Sequence, residues 1–324
     1  MDGITLLKQF EQAVNQMPNL ATWPTVKQAY DYLYEAAVAT ADKSGLLTTT
    51  QTITTVADQA NYKLSPDYLR LYLHDNQGRL YIKYYDGTSY YFIYMSSMES
   101  IILANQTTSV NIPSRFAIRD RALATQITGT TTGSDYAFFT ASAYSVFGQN
   151  CGETELTDSA APFATVNVGD IVHNTSASTL STGYVVATSS TSELICALFG
   201  DVDYLAFRTG DKYVINPQKG YELYLDPPPS TTGDIITVYY VKKPEPVYSA
   251  YRRYPFPSGY SSALVQYATW LMKYRDKEHQ LGDSLYKYWD AQVRQLSNSV
   301  TNAKNSSNYK VSFVKRADKS WSYR

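Results

Sequence analysis

The residues that could carry out chemistry are few in this sequence and stand far apart. The only histidines are His74, His173 and His279, and the only cysteines are Cys151 and Cys196. A tetrahedral zinc site needs four ligands, usually grouped at spacings of a few residues, and these five residues show no such grouping. The sequence therefore predicts no metal site. The two thiols could form a disulfide or remain a reduced buried pair, and a cytoplasmic protein favours the reduced pair.

Motifs of known catalytic mechanisms are also missing from the sequence. It contains no Gly-x-Ser-x-Gly, no His-Glu-x-x-His and no phosphate-binding loop ending in Gly-Lys-Ser/Thr. The stretch from Gly129 to Gly133 lacks the lysine of such a loop, which predicts a plain loop. Asp201 and Asp203 lack the downstream glutamate of a calcium-binding EF-hand, which predicts turn carboxylates. We therefore expect no catalytic residues, no cofactor and no enzymatic activity, with a hydrolase as the disfavoured rival.

The segment 301–324 has the composition that most favours partner binding. It contains six basic residues and one acidic residue, so its net charge is +5, and large aromatic residues stand between the charges. A tail that only solvates the protein has little use for such rings. We predict that Phe313 and Trp321 anchor a partner and that Lys315 and Arg316 pair with its carboxylates. A disordered tail is the alternative.

Overall composition narrows the class of protein. The chain has 324 residues, of which 44% are hydrophobic, and its net charge is −1. Dedicated nucleic-acid-binding proteins carry a basic excess, so this balance argues against that class. No apolar run approaches the roughly 20 residues that span a bilayer, and the N-terminal residues lack the basic region of a signal peptide. We expect neither membrane association nor secretion, and assembly in the cytoplasm.

Tyrosine is unusually frequent, with 31 residues against 11 phenylalanines. Its ring and hydroxyl suit half-wet positions such as subunit interfaces, and it also favours strands. The cluster formed by Tyr84, Tyr85, Tyr90, Tyr91 and Tyr94 is expected to be partly exposed on a pair of strands. A strand preference and an assembly surface both stay open as explanations.

The spacing of apolar residues changes twice along the chain. Apolar residues three and four positions apart predict two helices, over residues 4–17 and 22–45. A period of two predicts strands from residue 46 to about 120, with a hairpin turn at Asp86-Gly87. Strands continue in the second half of the chain, and helical spacing returns over 259–300. The chain therefore has helices at both ends and strands between them.

Composition also divides the chain into four parts. The range 126–212 is rich in Thr, Ser and Gly, which predicts an inserted small β-barrel or sandwich domain. Before it, 1–125 supplies helices and then a β-layer. After it, 213–300 supplies return strands and C-terminal helices, and 301–324 is an extended basic and aromatic tail. The predicted fold class is α+β, with a helical bundle formed by both chain ends, a β-layer between them and the inserted β-domain.

The order of four motifs is similar to that of a known family. ANYKLSPDYLRLYL (60–73) is followed by YELYLDPPP (221–229), ITVYYVKKPEP (236–246) and YPFPSGYSSALVQYATWLMKYRDKE (254–278). This series resembles the head-to-tail connector, or portal adaptor, proteins of tailed bacteriophages, over roughly residues 4–120 and 215–300. One departure is Ser65 before Pro66, where the family more often has Leu-Pro.

The resemblance implies a structural virion protein at the portal vertex, where head and tail meet. Twelve copies would form a ring beneath the portal, extend the DNA channel and offer an attachment surface to tail or nozzle proteins. DNA would pass through the lumen without sequence-specific binding. Phe313, Lys315, Arg316 and Trp321 become the candidate portal contacts. The alternative is a carbohydrate-binding structural module of a tail or fibre, with the 126–212 insert as the glycan-binding part.

Overall fold

The computed structural model of the chain describes residues 2–15, 26–75, 77–104, 112–122, 124–133, 137–141, 150–176, 181–200, 205–218, 220–247, 253–275 and 280–297. Its helices are α1 (Gly3–Asn15), α2 (Val26–Ser44), α3 (Met98–Ala104), α4 (Ser261–Arg275) and α5 (280–297). Its strands are β1 (Thr48–Thr54), β2 (Asn61–Lys63), β3 (Tyr68–Leu71), β4 (Tyr81–Tyr85), β5 (Tyr90–Met95), β6 (Arg115–Asp120), β7 (Ile127–Thr130), β8 (Ala137–Ala141), β9 (Asn150–Thr157), β10 (Ile171–Asn174), β11 (Ser181–Thr188), β12 (Glu193–Gly200), β13 (Lys212–Asn216), β14 (Tyr221–Asp226) and β15 (Ile235–Lys242).

The strands form two curled sheets. In the first sheet the order is β1-β15-β4-β5-β6-β14-β2, and β3 also pairs with β15. In the second sheet the order is β7-β13-β10-β11-β12-β9-β8. Nearly all pairs are antiparallel, and β5 with β6 is a parallel pair. The paired strands that lie furthest apart in the sequence are β1 and β15, with Thr48 opposite Val241 and Thr54 opposite Ile235.

The first sheet buries one face and turns the other outward. Alternation along β4 and β5 places Ile82, Tyr84 and Ile93 inside, where they are fully buried with apolar side chains of the other strands. The two end strands of the sheet are joined by one side chain. The Gln51 Nε2 amide on β1 donates to the Lys63 carbonyl (3.1 Å), and the backbone N–H of Ser65 donates to Gln51 Oε1 (2.9 Å). This amide clasp brings the sheet close to closure.

The second sheet has its own apolar core. Alternate residues of β12, such as Leu194, Cys196 and Leu198, are buried inside with Phe163 and other apolar side chains. The Cys196 thiol is free, and burial raises its pKa, so it stays protonated and unreactive. The side chain of its predicted partner, Cys151, lies outside the described part of the structure.

The helices from both chain ends lie on the outer face of the second sheet. Their apolar residues share one core with Val186, Ala197 and Phe199, which point outward from β11 and β12. A polar contact adds to it, since the Tyr184 hydroxyl on β11 donates to Asp31 Oδ1 on α2 (3.1 Å). The helices also contact each other: the Trp289 indole N–H on α5 donates to Thr40 Oγ1 on α2 (3.1 Å). The helices therefore form a layer on a sheet.

The predicted fold class is wrong. The molecule is mostly β, and the helices from the two chain ends do not form the predicted bundle. The physical reason is that the core shared by the helices also takes in strand residues of the second sheet, so the helices form one layer against that sheet. An apolar stripe looks the same in the sequence whether it faces another helix or a sheet.

The four-part division of the chain stays a prediction. Strands of the first sheet fall within 1–125 and 213–300. Strands of the second sheet run from Ile127 to Asn216, so β13 begins at the last residue of the predicted insert, Lys212. No helix in the described ranges combines the length and apolarity needed to cross a membrane.

Buried tyrosines in both sheets donate to carboxylates and should titrate late. The Tyr84 hydroxyl donates to Asp234 (2.5 Å), Tyr213 to Asp158 (2.6 Å) and Tyr240 to Asp67 Oδ1 (2.7 Å). Burial, with help from these carboxylates, raises the pKa of all three, and that of Tyr240 to about 12.

Neutral tyrosine therefore stabilises the folded state below the ordinary pKa of about 10, and this contribution is lost as pH rises through the folded-state pKa. A near-ultraviolet absorbance titration of the native protein should show cooperative ionisation of these tyrosines at a pH above their ordinary pKa. In denaturant the same step should move to about pH 10. Identical titration curves in both solvents would contradict the expectation.

Candidate interaction surface

The outward face of the first sheet combines exposed rings with cations. Because side chains alternate along a strand, Tyr81, Lys83 and Tyr85 point away from the core that holds Ile82 and Tyr84. Their cross-strand partners on β5 share that face. We call this surface the aromatic face, and it consists of Arg79, Tyr81, Lys83, Tyr85, Tyr90, Phe92, Tyr94 and Tyr239.

Ring contacts hold the aromatic face in one arrangement. The Tyr81 ring lies 5.1 Å from that of Phe92, edge to face, and 6.3 Å from that of Tyr94. Next to the hairpin turn, the rings of Tyr85 and Tyr90 are 4.6 Å apart. These distances are typical of favourable aromatic pairs, which add stability beyond the area they bury. The rings are therefore positioned before any partner arrives.

Two cations lie over rings of the aromatic face. The Arg79 guanidinium is 4.3 Å from the centre of the Tyr94 ring, and the Lys83 ammonium is 5.2 Å from that of Tyr239. Arg79 is also held by Asp75, whose carboxylate is 2.8 Å away. Both cations are thus oriented along the sheet, which gives the surface positive charge between apolar rings.

The hairpin turn fixes the end of the aromatic face. Gly87 adopts φ +88°, which glycine tolerates without strain, and its carbonyl accepts a hydrogen bond from the Tyr85 hydroxyl (2.7 Å). The Asp86 carboxylate accepts the backbone N–H groups of Ser89 and Thr88, and these bonds hold its pKa below the ordinary value. Asp86 also accepts the Tyr91 hydroxyl (3.1 Å). A turn bonded in this way is a rigid support.

Two rings of the aromatic face are the most exposed large hydrophobic side chains of the first sheet in the described ranges. The side chain of Tyr90 is 67% exposed and that of Phe92 is 54% exposed. When a partner covers large rings in such positions, the apolar surface that is buried favours binding. The rings also lose little conformational freedom on binding. The sequence indicated a tyrosine cluster here, and the structure corrects one member of it, because Tyr84 is fully buried. Phe92, Arg79 and their cross-strand contacts were missed, although alternation from Asp86-Gly87 could have placed them.

A row of threonines borders the aromatic face. Thr48, Thr50, Thr52 and Thr54 are exposed on β1, and the register sets Thr50 opposite Tyr239. Their hydroxyls offer hydrogen-bond donors and acceptors beside the rings. The combined surface has an aromatic centre and a polar border, which is the usual anatomy of a protein interface.

A second exposed aromatic group lies on the helices, and we call it the helical patch. It consists of Tyr274, Leu281, Tyr286 and Tyr288. Gly282 on α5 allows the Tyr274 ring to approach, since a methyl group there would lie 2.9 Å from that ring. The rings of Tyr286 and Trp289 are 5.2 Å apart, which ties the patch to the helical core.

The site residues predicted from the sequence are not brought together in the described structure. The portal-contact candidates Phe313, Lys315, Arg316 and Trp321 lie outside the described residues, as do Asp201 and Asp203. The stretch expected to be a loop begins in a strand, because Gly129 belongs to β7. Within the described ranges, no three His, Cys, Asp or Glu residues are grouped closely enough to hold a metal ion.

Comparisons with known proteins identified no relative of the chain. No protein-family model matches the chain, and no curated protein matches it. The geometry of the aromatic face is therefore the observation on which a functional proposal has to rest.

Proposed function

We propose that the protein is a structural subunit, the head-to-tail adaptor that assembles as a ring beneath the portal of a tailed bacteriophage. The observation that carries this proposal is the aromatic face, where Tyr90 and Phe92 are exposed on a hairpin held by ring contacts and a bonded turn. Interfaces are enriched in such aromatic residues, and rigid rings bind at low entropic cost. The resemblance of the four sequence motifs supplies the particular assembly.

In this proposal the function is mechanical. Copies of the chain contact one another around the ring and contact the portal on one side and tail or nozzle proteins on the other. The ring, with twelve copies by resemblance, extends the DNA channel. A net charge of −1 suits a channel wall, because a strongly basic lumen would bind the phosphate backbone and slow its passage. The place of action is the portal vertex of the virion.

Electron microscopy of the purified protein with portal-bearing, DNA-filled heads tests the proposal. We expect ring-shaped density beneath the portal after mixing, and heads that then accept tail proteins. Heads that lack portal provide the control and should show no added density. A protein that fails to bind portal-bearing heads, or that binds both kinds of head equally, would overturn the proposal.

A carbohydrate-binding module is the second candidate, because exposed rings can also stack on sugars. The described phenylalanine rings of the 126–212 range are poorly placed for this, since Phe163, Phe199 and Phe207 are buried. Tyr90 and Phe92 on the first sheet are the better stacking positions. A glycan array with the full chain separates the two candidates: specific saccharide binding that is lost in Tyr90→Ser would favour the carbohydrate module over the adaptor.

A further inference from the structure

A large cleft separates the two sheets on the side where each sheet ends. It encloses about 1080 Å³ and is lined by residues of β1 and β2, of the connection from β6 to β7, and of the 3₁₀ turn at Pro162–Thr165. Pockets for small ligands usually enclose about 300–1,000 Å³. An open cleft at the upper limit of this range has room for a segment of extended chain.

Two end strands flank the cleft. β7 ends the second sheet and pairs, among the described strands, with β13 alone, with Ile127 opposite Ile215. β1 ends the first sheet, and both Thr50 and Gln51 line the cleft. The backbone of an end strand can pair with an added strand, and proteins use this arrangement to bind extended peptides. We assign the added strand to β7, because the Gln51 side chain already spans the gap from β1 to the backbone of Lys63 and Ser65.

The charged residues that line the cleft are cations. They are Lys63, which is exposed, and Arg121, and the other lining residues are neutral. The carboxylates nearby are engaged within the protein. Glu222, opposite Lys63 on β14, is paired with Arg119. Asp67 accepts the Tyr240 hydroxyl (2.7 Å), and Asp170 accepts the backbone N–H groups of Asn167 and Gln218 (both 2.8 Å). The residues that line the cleft therefore present positive charge to an incoming chain, and Asp170 is close enough to Arg121 to interact with it electrostatically.

We propose that this cleft binds an extended acidic segment of another protein, which adds as a strand to β7 and pairs its carboxylates with Lys63 and Arg121. Charge complementarity selects this occupant. Residues 301–324 of the chain itself carry a net charge of +5 and would be repelled by the same two cations. The proposal does not depend on the adaptor role, since no residue of the aromatic face lines the cleft, and only Thr50 of its threonine border does.

Fluorescence anisotropy of the full chain with two labelled peptides tests the proposal. The probes are a short peptide of alternating valine and glutamate, and its counterpart with lysine in place of glutamate. We expect the acidic peptide to bind at least about 10-fold more tightly, and the preference to shrink at high salt. Equal affinities for the two peptides would overturn the proposed charge selection.

A double charge reversal locates the binding site. Lys63→Glu with Arg121→Glu should remove the preference for the acidic peptide or invert it. Lys212→Glu is the matched control, because Lys212 is an exposed lysine on β13 outside the cleft lining, and it should change the affinity by less than about 2-fold. An unchanged preference in the double variant would place the peptide elsewhere and overturn the assignment.

A modified peptide tests strand addition without altering the protein. Methylation of alternate backbone nitrogens of the acidic peptide removes the donors that a strand partner would use and leaves its charge intact. We expect the affinity to fall by about 10-fold or more, since several main-chain hydrogen bonds are lost together. Unchanged affinity would show that charge alone holds the peptide, and pairing with β7 would be wrong.

Discussion

Replacing Tyr90 and Phe92 together by serine should abolish binding of the protein to its assembly partners while leaving its fold intact. Aromatic residues at the centre of an interface commonly cost about 2 kcal/mol or more each when truncated. Two such losses correspond to roughly a 1,000-fold weaker association. The free energy of unfolding should fall by no more than about 2 kcal/mol, because both side chains are mostly exposed and each loses one ring contact on the surface, worth about 1 kcal/mol.

Binding of the variant to portal-bearing heads, measured by cosedimentation, checks this expectation, and thermal unfolding checks the fold. Tyr288→Ser is the matched control: Tyr288 is 69% exposed, against 67% for Tyr90, but it belongs to the helical patch. If the control variant loses binding and the double variant keeps it, the helical patch and not the aromatic face contacts the partner.

Gly183→Ala should destabilise the second sheet more than any surface change. A methyl group on Gly183 would overlap the carbonyl oxygen of Ala197 and lie 2.7 Å from its carbonyl carbon and 2.9 Å from the Leu198 Cα. These are backbone atoms of the neighbouring strand β12, so no side chain can rotate away. The strands would have to separate where Ala197 also packs against the helices.

We expect a loss of about 3 kcal/mol in the free energy of unfolding, at the upper end of overpacking effects, and a melting temperature lower by about 4–5 °C. Differential scanning calorimetry provides the measurement. Gly259→Ala is the control, because no heavy atom lies within 4 Å of the added methyl group. Equal melting temperatures for the two variants would mean that β11 and β12 are not held as tightly as the register implies.

Local structure was largely readable from the sequence. The alternation around Asp86-Gly87 predicted a hairpin, and the structure confirms it with β4 (Tyr81–Tyr85) and β5 (Tyr90–Met95). The helices predicted near both ends from the spacing of apolar residues are also confirmed, with α1 and α4 as examples. These signals are local, because they depend on turn chemistry and on residues a few positions apart.

What could not be read was the partner of each element. The outward strand residues Val186 and Phe199 look like ordinary strand residues, and nothing in their spacing shows that helices cover them. The burial of Tyr84 was missed for a related reason: its hydroxyl is satisfied by Asp234, which lies 150 positions further along the chain. Contacts between distant segments decide fold class and burial, and a single sequence does not display them.

The pairing of β1 with β15 also constrains the order in which the molecule can be made. β1 can pair with β15 only after residues such as Ile235, the partner of Thr54, have been synthesised. All strands of the second sheet, in contrast, have been synthesised once the chain reaches Asn216. Closing the longer loop costs more chain entropy, and pairing of remote strands is slow. During synthesis the second sheet can therefore form while β1 is still unpaired. The helices α1 and α2 can then already pack on the outer face of β11 and β12.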